Sequence, residues 1–197
     1  MTTQSQLDVA STPHADRAIA TMTMAFSNDP IVRWVFREAS TYLTYWPPLV
    51  EAFGGRAFST GTADSIADCG GVALWLPPGV QPDAETMGAL AAEAVPAADQ
   101  DEVFGFLGQM DEFHPSESHW YLPLMGVDVT KQRCGYGSAL LRHALERCDL
   151  DRLPAYLEAT NPRNKALYER HGFEAFGVIQ TGSSPPMWPM LRTAASA

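Results

Sequence analysis

The sequence predicts an α/β (α+β) domain built on a mixed, mostly antiparallel sheet with one parallel strand pair and helices on both faces. Three observations carry this. A run of strand formers at 120–129 leads through a glycine-bearing turn into a helix whose Leu140, Leu141, Ala144, Leu145 and Cys148 share one face, and a second strand run follows at 155–159. A strand, a helix and a strand in that order place the two strands in one sheet and parallel. Paired short runs around Gly70-Gly71, and again at 174–180 and 187–192, read as hairpins and therefore as antiparallel neighbours.

Taken in chain order, residues 1–12 are polar and small and are expected to be disordered. At 14–26, Ala18, Met22 and Phe26 recur every fourth position beside Ile19 and Ala25, an amphipathic helix that stops before Asn28-Asp29-Pro30. Two further helical pieces follow at 31–36 and 41–53, the second expected to be disturbed by Pro47-Pro48. Strand runs at 65–69 and 72–76 flank Gly70-Gly71 as a two-residue turn, and Pro77-Pro78-Gly79 stops the second. The stretches 83–92 and 99–110 are helical, each opening on acidic residues that complement the helix dipole. After the central strand, turn and helix come the strand at 155–159, a short helix at 163–170 and the two closing strands.

One domain over 1–197 is expected, since this length can bury a core, and 46% hydrophobic with 18% charged residues leaves little room for long disorder. A net charge of −10 argues against nucleic acid or an anionic membrane as partner and favours a cationic small molecule. The opening MTTQSQLDVASTPHADRA lacks a basic start followed by an apolar core, and no apolar run is long enough to span a bilayer, so a cytoplasmic location is expected. Cys69, Cys134 and Cys148 form no C-x-x-C pair and read as reduced thiols. His114 and His119 are separated by Pro115, a poor geometry for a shared metal, so no metal is expected. A homodimer is compatible with the sequence.

The turn at 130–137 carries the most specific chemistry. Gly135 and Gly137 let the backbone approach a ligand without Cβ interference, and the first N–H groups of the following helix lack internal partners, which suits a phosphate. No carboxylate occurs between Asp128 and Glu146, whereas Lys131, Arg133 and Arg142 fall inside that window. A dinucleotide fold would use the same turn with Glu158 near the next strand's end, but Leu140 stands where its third glycine belongs. Neither a Walker loop ending nor a G-x-S-x-G elbow occurs.

Gln132-x-x-Gly135-x-Gly137 after a strand with Val127, then Leu157-Glu158-Ala159-Thr160-Asn161, then Leu167-Tyr168-Glu169-Arg170-His171-Gly172-Phe173 resemble, in order and spacing, the GNAT family of acetyl-CoA-dependent N-acetyltransferases. The resemblance covers 119–192, and Val129 departs from the Pro that many members carry there. The tail, with Tyr168, Gly172-Phe173 and Trp188-Pro189-Met190, is most similar to bacterial members of the puromycin N-acetyltransferase type. The resemblance implies the GNAT fold, with its parallel pair splayed for CoA, and an acyltransferase that uses acetyl-CoA as cosubstrate. It implies transfer of the acetyl group to a primary amine of a small molecule by direct attack in a ternary complex. Residues 14–110 would supply acceptor-side helices and a hairpin, and 119–192 the acetyl-CoA-binding core. A catalytically silent acyl-CoA-binding sensor is the alternative from another class.

On the same resemblance, the backbone of Met125 and Val127 holds pantetheine and the acetyl carbonyl, and N–H groups of Gln132, Arg133, Cys134, Gly135, Tyr136, Gly137 and Ser138 hold the pyrophosphate. The glycines also fit an ordinary tight turn, and Lys131 and Arg133 a solvated surface. Asn161 is either the family Asn on the pantetheine arm or, before Pro162, a turn or cap residue. Tyr168 matches the family phenol beside the thioester sulfur and would protonate the leaving thiolate; packing beside Leu167 and Phe173 is the other reading. Glu158 is a base, directly or through water, or a buried structural carboxylate, and His119 and Asp128 are further base candidates. A base matters because an amine with an ordinary lysine pKa is neutral only to about one part in 10³ at pH 7, a handicap of roughly 4 kcal/mol. Phe26, Trp34 and Trp75 are the candidate acceptor contacts, although the aromatic density of Phe26, Trp34, Phe36, Tyr42, Tyr45 and Trp46 also reads as a core of helix faces.

Overall fold

The computed structural model describes residues 7–11 and 13–195. β1 (Val9–Ser11) lies within the stretch expected to be disordered and pairs antiparallel with β2 (Ala63–Ile66), Val9 opposite Ile66; residues 1–6 and 12 of that stretch lie outside the described residues. α1 (Ala15–Ala25) and α2 (Pro30–Val35) follow, and Asp29 caps α2 by accepting from the N–H groups of Ile31 at 3.1 Å and Val32 at 3.2 Å. α3 (Ala39–Gly54) runs unbroken through Pro47 and Pro48, against expectation. Those prolines strip the carbonyls of Leu43 and Thr44 of their helix partners, but both residues are exposed, so solvent can take the place of the missing N–H groups.

α4 (Arg56–Thr60) leads into β2, which pairs with β3 (Gly71–Leu76) with Ile66 opposite Gly71. The expected Gly70-Gly71 turn is therefore displaced onto residues 67–70, where Ala67, Asp68 and Cys69 take left-handed φ of 50°, 55° and 63°. Helix α1 braces this turn, with Arg17 paired to Asp68 at 2.5 Å and Thr21 Oγ1 donating to the Cys69 carbonyl at 2.6 Å. Gly71 instead serves packing, since a Cβ there would stand 3.0 Å from Ile66 Cγ2 and 3.3 Å from Leu140 Cδ1.

α5 (Ala84–Ala94) and α6 (Gln100–Phe113) precede β4 (Trp120–Val127), and a 3₁₀ turn (Val129–Lys131) leads to α7 (Tyr136–Asp151). β5 (Ala155–Ala159), α8 (Pro162–Glu169), β6 (Glu174–Ala175) and β7 (Trp188–Arg192) complete the described chain. The seven strands form one sheet in the order β1-β2-β3-β4-β5-β7-β6, parallel only between β4 and β5, as the sequence predicts. The strand expected at 174–180 shrinks to Glu174–Ala175 and a single bridge from Ile179 to Met187. Between them the chain is held against α6, where a Cβ on Gly177 would stand 2.3 Å from the Phe113 ring.

Helices cover both faces. On one, Leu140, Leu141, Ala144 and Leu145 of α7 pack with Trp75, Trp120 and Leu122; on the other, Met22, Trp46 and Val50 of α1 and α3 pack with Val72, Leu74, Tyr121 and Leu124. Strict alternation would place Leu122 and Leu124 on one face. They lie on opposite faces because Leu74 pairs with Leu124 and Leu76 with Tyr121, so that Leu122 and Pro123 together oppose Trp75 in a β-bulge. Pro123 lacks a ladder N–H and suits such a position.

Gly126, just past the bulge, is where α1 crosses β4: a Cβ there would stand 2.8 Å from Ala25 Cβ and 2.9 Å from Met22 Sδ. Gly126→Val should lower the unfolding free energy by about 1–3 kcal/mol in a urea titration, because the helix backbone must retreat to admit the side chain. An unchanged midpoint would show that α1 is free to move.

Candidate active site

The site opens where β4 and β5 part. Their parallel pairing consists of Trp120 with Ala155, Tyr121 with Tyr156 and Leu122 with Leu157, while β4 continues to Val127 alongside β3 and β5 to Ala159 alongside β7. Beyond the bulge the facing edges of the two strands are unpaired, and a cleft of about 780 Å³ lies there. Met125, Gly126 and Val127 form one wall, the turn into α7 another, and Asn161, Leu167 and Tyr168 of the α8 region a third.

At one end of the cleft Gly135, with φ 85°, caps α7 through its backbone conformation, and among the described residues no side chain bonds to the helix's first N–H groups. Arg133 is also left-handed, with φ 65°, so the turn folds back tightly. Gln132, Arg133, Gly135, Tyr136, Gly137 and Ser138 line the cleft together with Lys131, Arg163 and Arg170, and no acidic side chain lines this end. Cys134 is exposed but is not among the residues lining the cleft. Open helix N–H groups, glycine backbone and clustered cations fit a pyrophosphate, and the unpaired edge of β4 fits the amide-bearing arm of CoA. Ser138 Oγ lies 3.1 Å from His171 Nε2, fixing that hydroxyl at the edge of the turn.

At the other end stand Tyr168, Asp29 and Phe26. The Tyr168 hydroxyl has no hydrogen-bond partner among the described residues, and burial, with the nearby Asp29 and Glu158, pushes its pKa well above that of an ordinary phenol. Asp29, besides capping α2, accepts from Thr160 Oγ1 at 2.5 Å, tying α2 to the end of β5; burial raises its pKa. Asn161 accepts from the Asn164 N–H at 2.9 Å, the cap role, while still lining the cleft. Glu158 sits one residue beyond the last β4–β5 pair. Its Oε2 accepts from Tyr121 Oη at 2.9 Å, its Oε1 is buried with no partner, and burial lifts its pKa to about 7.

Several sequence expectations are relocated. Trp75 is fully buried against α7 and does not face the cleft. Trp34 packs on Phe106 at a centroid distance of 5.5 Å and donates to Ser183 Oγ at 3.1 Å, closing a small core between α2, α6 and the β6–β7 segment instead of lining the cleft. Phe26 does line it, resting on Trp46 at 5.1 Å. Asp128 caps the 3₁₀ turn, accepting from Thr130 N–H and Oγ1 at 2.8 Å each, and those bonds lower its pKa, which disqualifies it as a base near neutral pH. His114 and His119, held apart in the sequence reading by Pro115, meet with Nε2 atoms 3.1 Å apart. Asp29 and Tyr121 were not singled out as site residues: the first reads as the stop of a helix and the second as one aromatic in a strand run.

Residues 92–175 match the family described as acetyltransferase (GNAT) domain. An uncharacterized N-acetyltransferase of Schizosaccharomyces pombe is 24% identical over 201 residues, 89% of this chain and 78% of that protein. A Corynebacterium glutamicum crystal structure described as histone acetyltransferase HPA2 and related acetyltransferase has a TM-score of 0.68 at 26% identity, covering 98% of both chains. Arylalkylamine N-acetyltransferase 2 from Aedes aegypti shares the fold, with a TM-score of 0.67 at 14% identity over 95% of this chain and 100% of that one. Among the described residues no helix is long and apolar enough to cross a membrane. The cleft at the strand split and these likenesses converge: the chain has the GNAT fold, its residues 92–175 match the acetyltransferase (GNAT) domain, and the protein is an acyltransferase.

Proposed function

We propose that the protein transfers the acetyl group of acetyl-CoA to the primary amine of a small cationic molecule with an apolar or aromatic body, by direct attack within a ternary complex. The observation that carries this is the arrangement of the strand-split cleft, with helix N–H groups and cations at one end and Tyr168, Phe26 and Asp29 at the other, where Glu158 is close enough to shift Tyr168 although it does not itself line the cleft. Acetyl-CoA supplies the thioester. Glu158, which titrates near neutrality, takes the proton of the attacking amine, and the backbone edge of Met125 and Val127 orients the reacting carbonyl. Tyr168 donates to the sulfur as it gains charge. Because its phenol is less acidic than usual, complete proton transfer is more uphill than from free tyrosine, and the gain comes mainly from a strengthening hydrogen bond in a partly dry site.

No acyl-enzyme is needed, since Cys148 is buried on α7 and Cys134 lies outside the cleft wall. Phe26 offers the acceptor an apolar face, and the net charge of −10 disfavours an acidic one. The mosquito enzyme of the same fold is named for arylalkylamines, and the tail's resemblance to the puromycin N-acetyltransferase type points to an aryl-bearing amine as well.

Three outcomes test this reading. Gly135→Val places a β-branched residue at φ 85°, so the turn must reshape; calorimetry should show severe loss of acetyl-CoA affinity in a folded protein, and unchanged affinity would remove the turn from the site. Tyr168→Phe keeps the ring and should lower kcat by about 10² with little change in acetyl-CoA affinity. In a mass-spectrometric screen of amines, arylalkylamines should show higher kcat/KM than acceptors of net negative charge, and the reverse order would overturn the proposed acceptor class.

A further inference from the structure

We propose that Tyr121 is a positioning residue for the base: by donating to Glu158 Oε2 it reserves Oε1 as the oxygen that takes the acceptor's proton. The inference rests on Glu158 being that base. Tyr121 and Tyr156 are partners in the parallel β4–β5 register, with ring centroids 5.6 Å apart and planes 30° off parallel. Tyr121 Oη lies 2.9 Å from Glu158 Oε2, whereas Glu158 Oε1 and Tyr156 Oη are buried and make no hydrogen bond of good geometry, although the Tyr156 hydroxyl stands near enough to the carboxylate to favour its ionised form. A buried carboxylate oxygen left unpaired is costly, and such a group persists where a function uses it. Oε2 is thus engaged by Tyr121, while Oε1 has only the Tyr156 hydroxyl near it and no bond of good geometry.

The Tyr121 ring cannot swing away without opening the core. It is 4% exposed, with Phe53 edge-on at 6.1 Å and His114 edge-on at 4.7 Å. His114 also meets Tyr156, at 4.9 Å, and is itself held by His119: Nδ1 of His119 can only donate to the Glu117 carbonyl, at 2.6 Å, so its Nε2 is left to accept from His114 Nε2–H at 3.1 Å. The titratable groups around Glu158 are Tyr121 from β4, Tyr156 from β5 and Tyr168 from α8, which also senses Asp29; His114, faced by Asp111, and His119 back the rings. No lysine or arginine is among the groups that shift Glu158. Burial raises its pKa, and the Tyr121 hydroxyl, followed by that of Tyr156, opposes that rise by favouring the ionised form.

In the reaction the amine nitrogen bonds to the thioester carbonyl carbon, the C–S bond breaks with its electron pair on sulfur, and the N–H proton passes to Glu158 Oε1. Tyr121 keeps its own proton throughout.

The test is the pH dependence of kcat/KM for the best amine of the screen in wild type, Tyr121→Phe, Tyr121→3-fluorotyrosine and Glu158→Gln. The wild-type acidic limb should fall near pH 7. Tyr121→Phe removes a bond to the ionised form and should move the limb up by about one pH unit with acetyl-CoA affinity unchanged. Tyr121→3-fluorotyrosine keeps the ring and hydroxyl, donates more strongly, and should move the limb down; it decides the matter alone if Tyr121→Phe fails to fold. Limbs that coincide in wild type and both Tyr121 variants overturn the proposal and leave Tyr121 a packing residue. A wild-type limb that persists in Glu158→Gln instead removes Glu158 as the base, whereas its disappearance there with unmoved Tyr121 variants rejects the Tyr121 role alone.

Discussion

Beyond Leu122 and Leu157 two parallel strands stop exchanging hydrogen bonds, and everything at the site is built on the backbone they leave unpaired. Buried amide and carbonyl groups are costly to leave without partners, so a sheet opened in its interior is stable only where solvent or a ligand reaches the gap. The bulge at Leu122-Pro123 makes the opening: Pro123 supplies no N–H, and the extra residue redirects the side chains of β4 from that point on. As a result Tyr121 and Leu124 face the α1–α3 side together, and Met125 to Val127 present their outer edge to the cleft.

The charge distribution follows the same division. The chain carries a net charge of −10, yet the turn into α7 holds no carboxylate and is bordered by Lys131, Arg133, Arg163 and Arg170. Asp29 lines the other end and Glu158 lies near Tyr168 behind it, and both are shifted upward by burial. Under the proposed function, these fields would sort an anionic cofactor and a cationic acceptor to opposite ends of one cleft. Asp29 joins two segments physically: its two oxygens cap α2 and accept from Thr160 at the end of β5, so α2 is registered to the strand that carries Glu158.

Much of this was legible in the sequence. Helix faces such as Leu140, Leu141, Ala144, Leu145 and Cys148 repeat with the period of an α-helix, and that period alone identifies the buried side of α7. The strand-helix-strand order dictated the parallel pair, because a helix crossover returns the chain in the same direction. Gly135 and the carboxylate-free window marked the cationic end of the cleft, since its chemistry is local: backbone conformation, helix N–H groups and the cations Lys131 and Arg133 all lie within a few residues.

What lay beyond the sequence depends on contacts between distant segments. Gly70-Gly71 looks like a turn, but Gly71 is glycine because Ile66 and Leu140 press on it, and Pro47-Pro48 look like a break, but the carbonyls they orphan face outward. Trp34 and Trp75 carry the composition of a pocket wall, and only the packing of α6 and α7 shows that both belong to cores. The sequence by itself determined the fold class and the glycine turn that opens α7, because periodicity, turn chemistry and chain order are local. The tertiary structure alone decided which oxygen of Glu158 Tyr121 holds and that Asp29 joins α2 to the end of β5, because burial and hydrogen-bond partners are properties of neighbours brought together from across the chain.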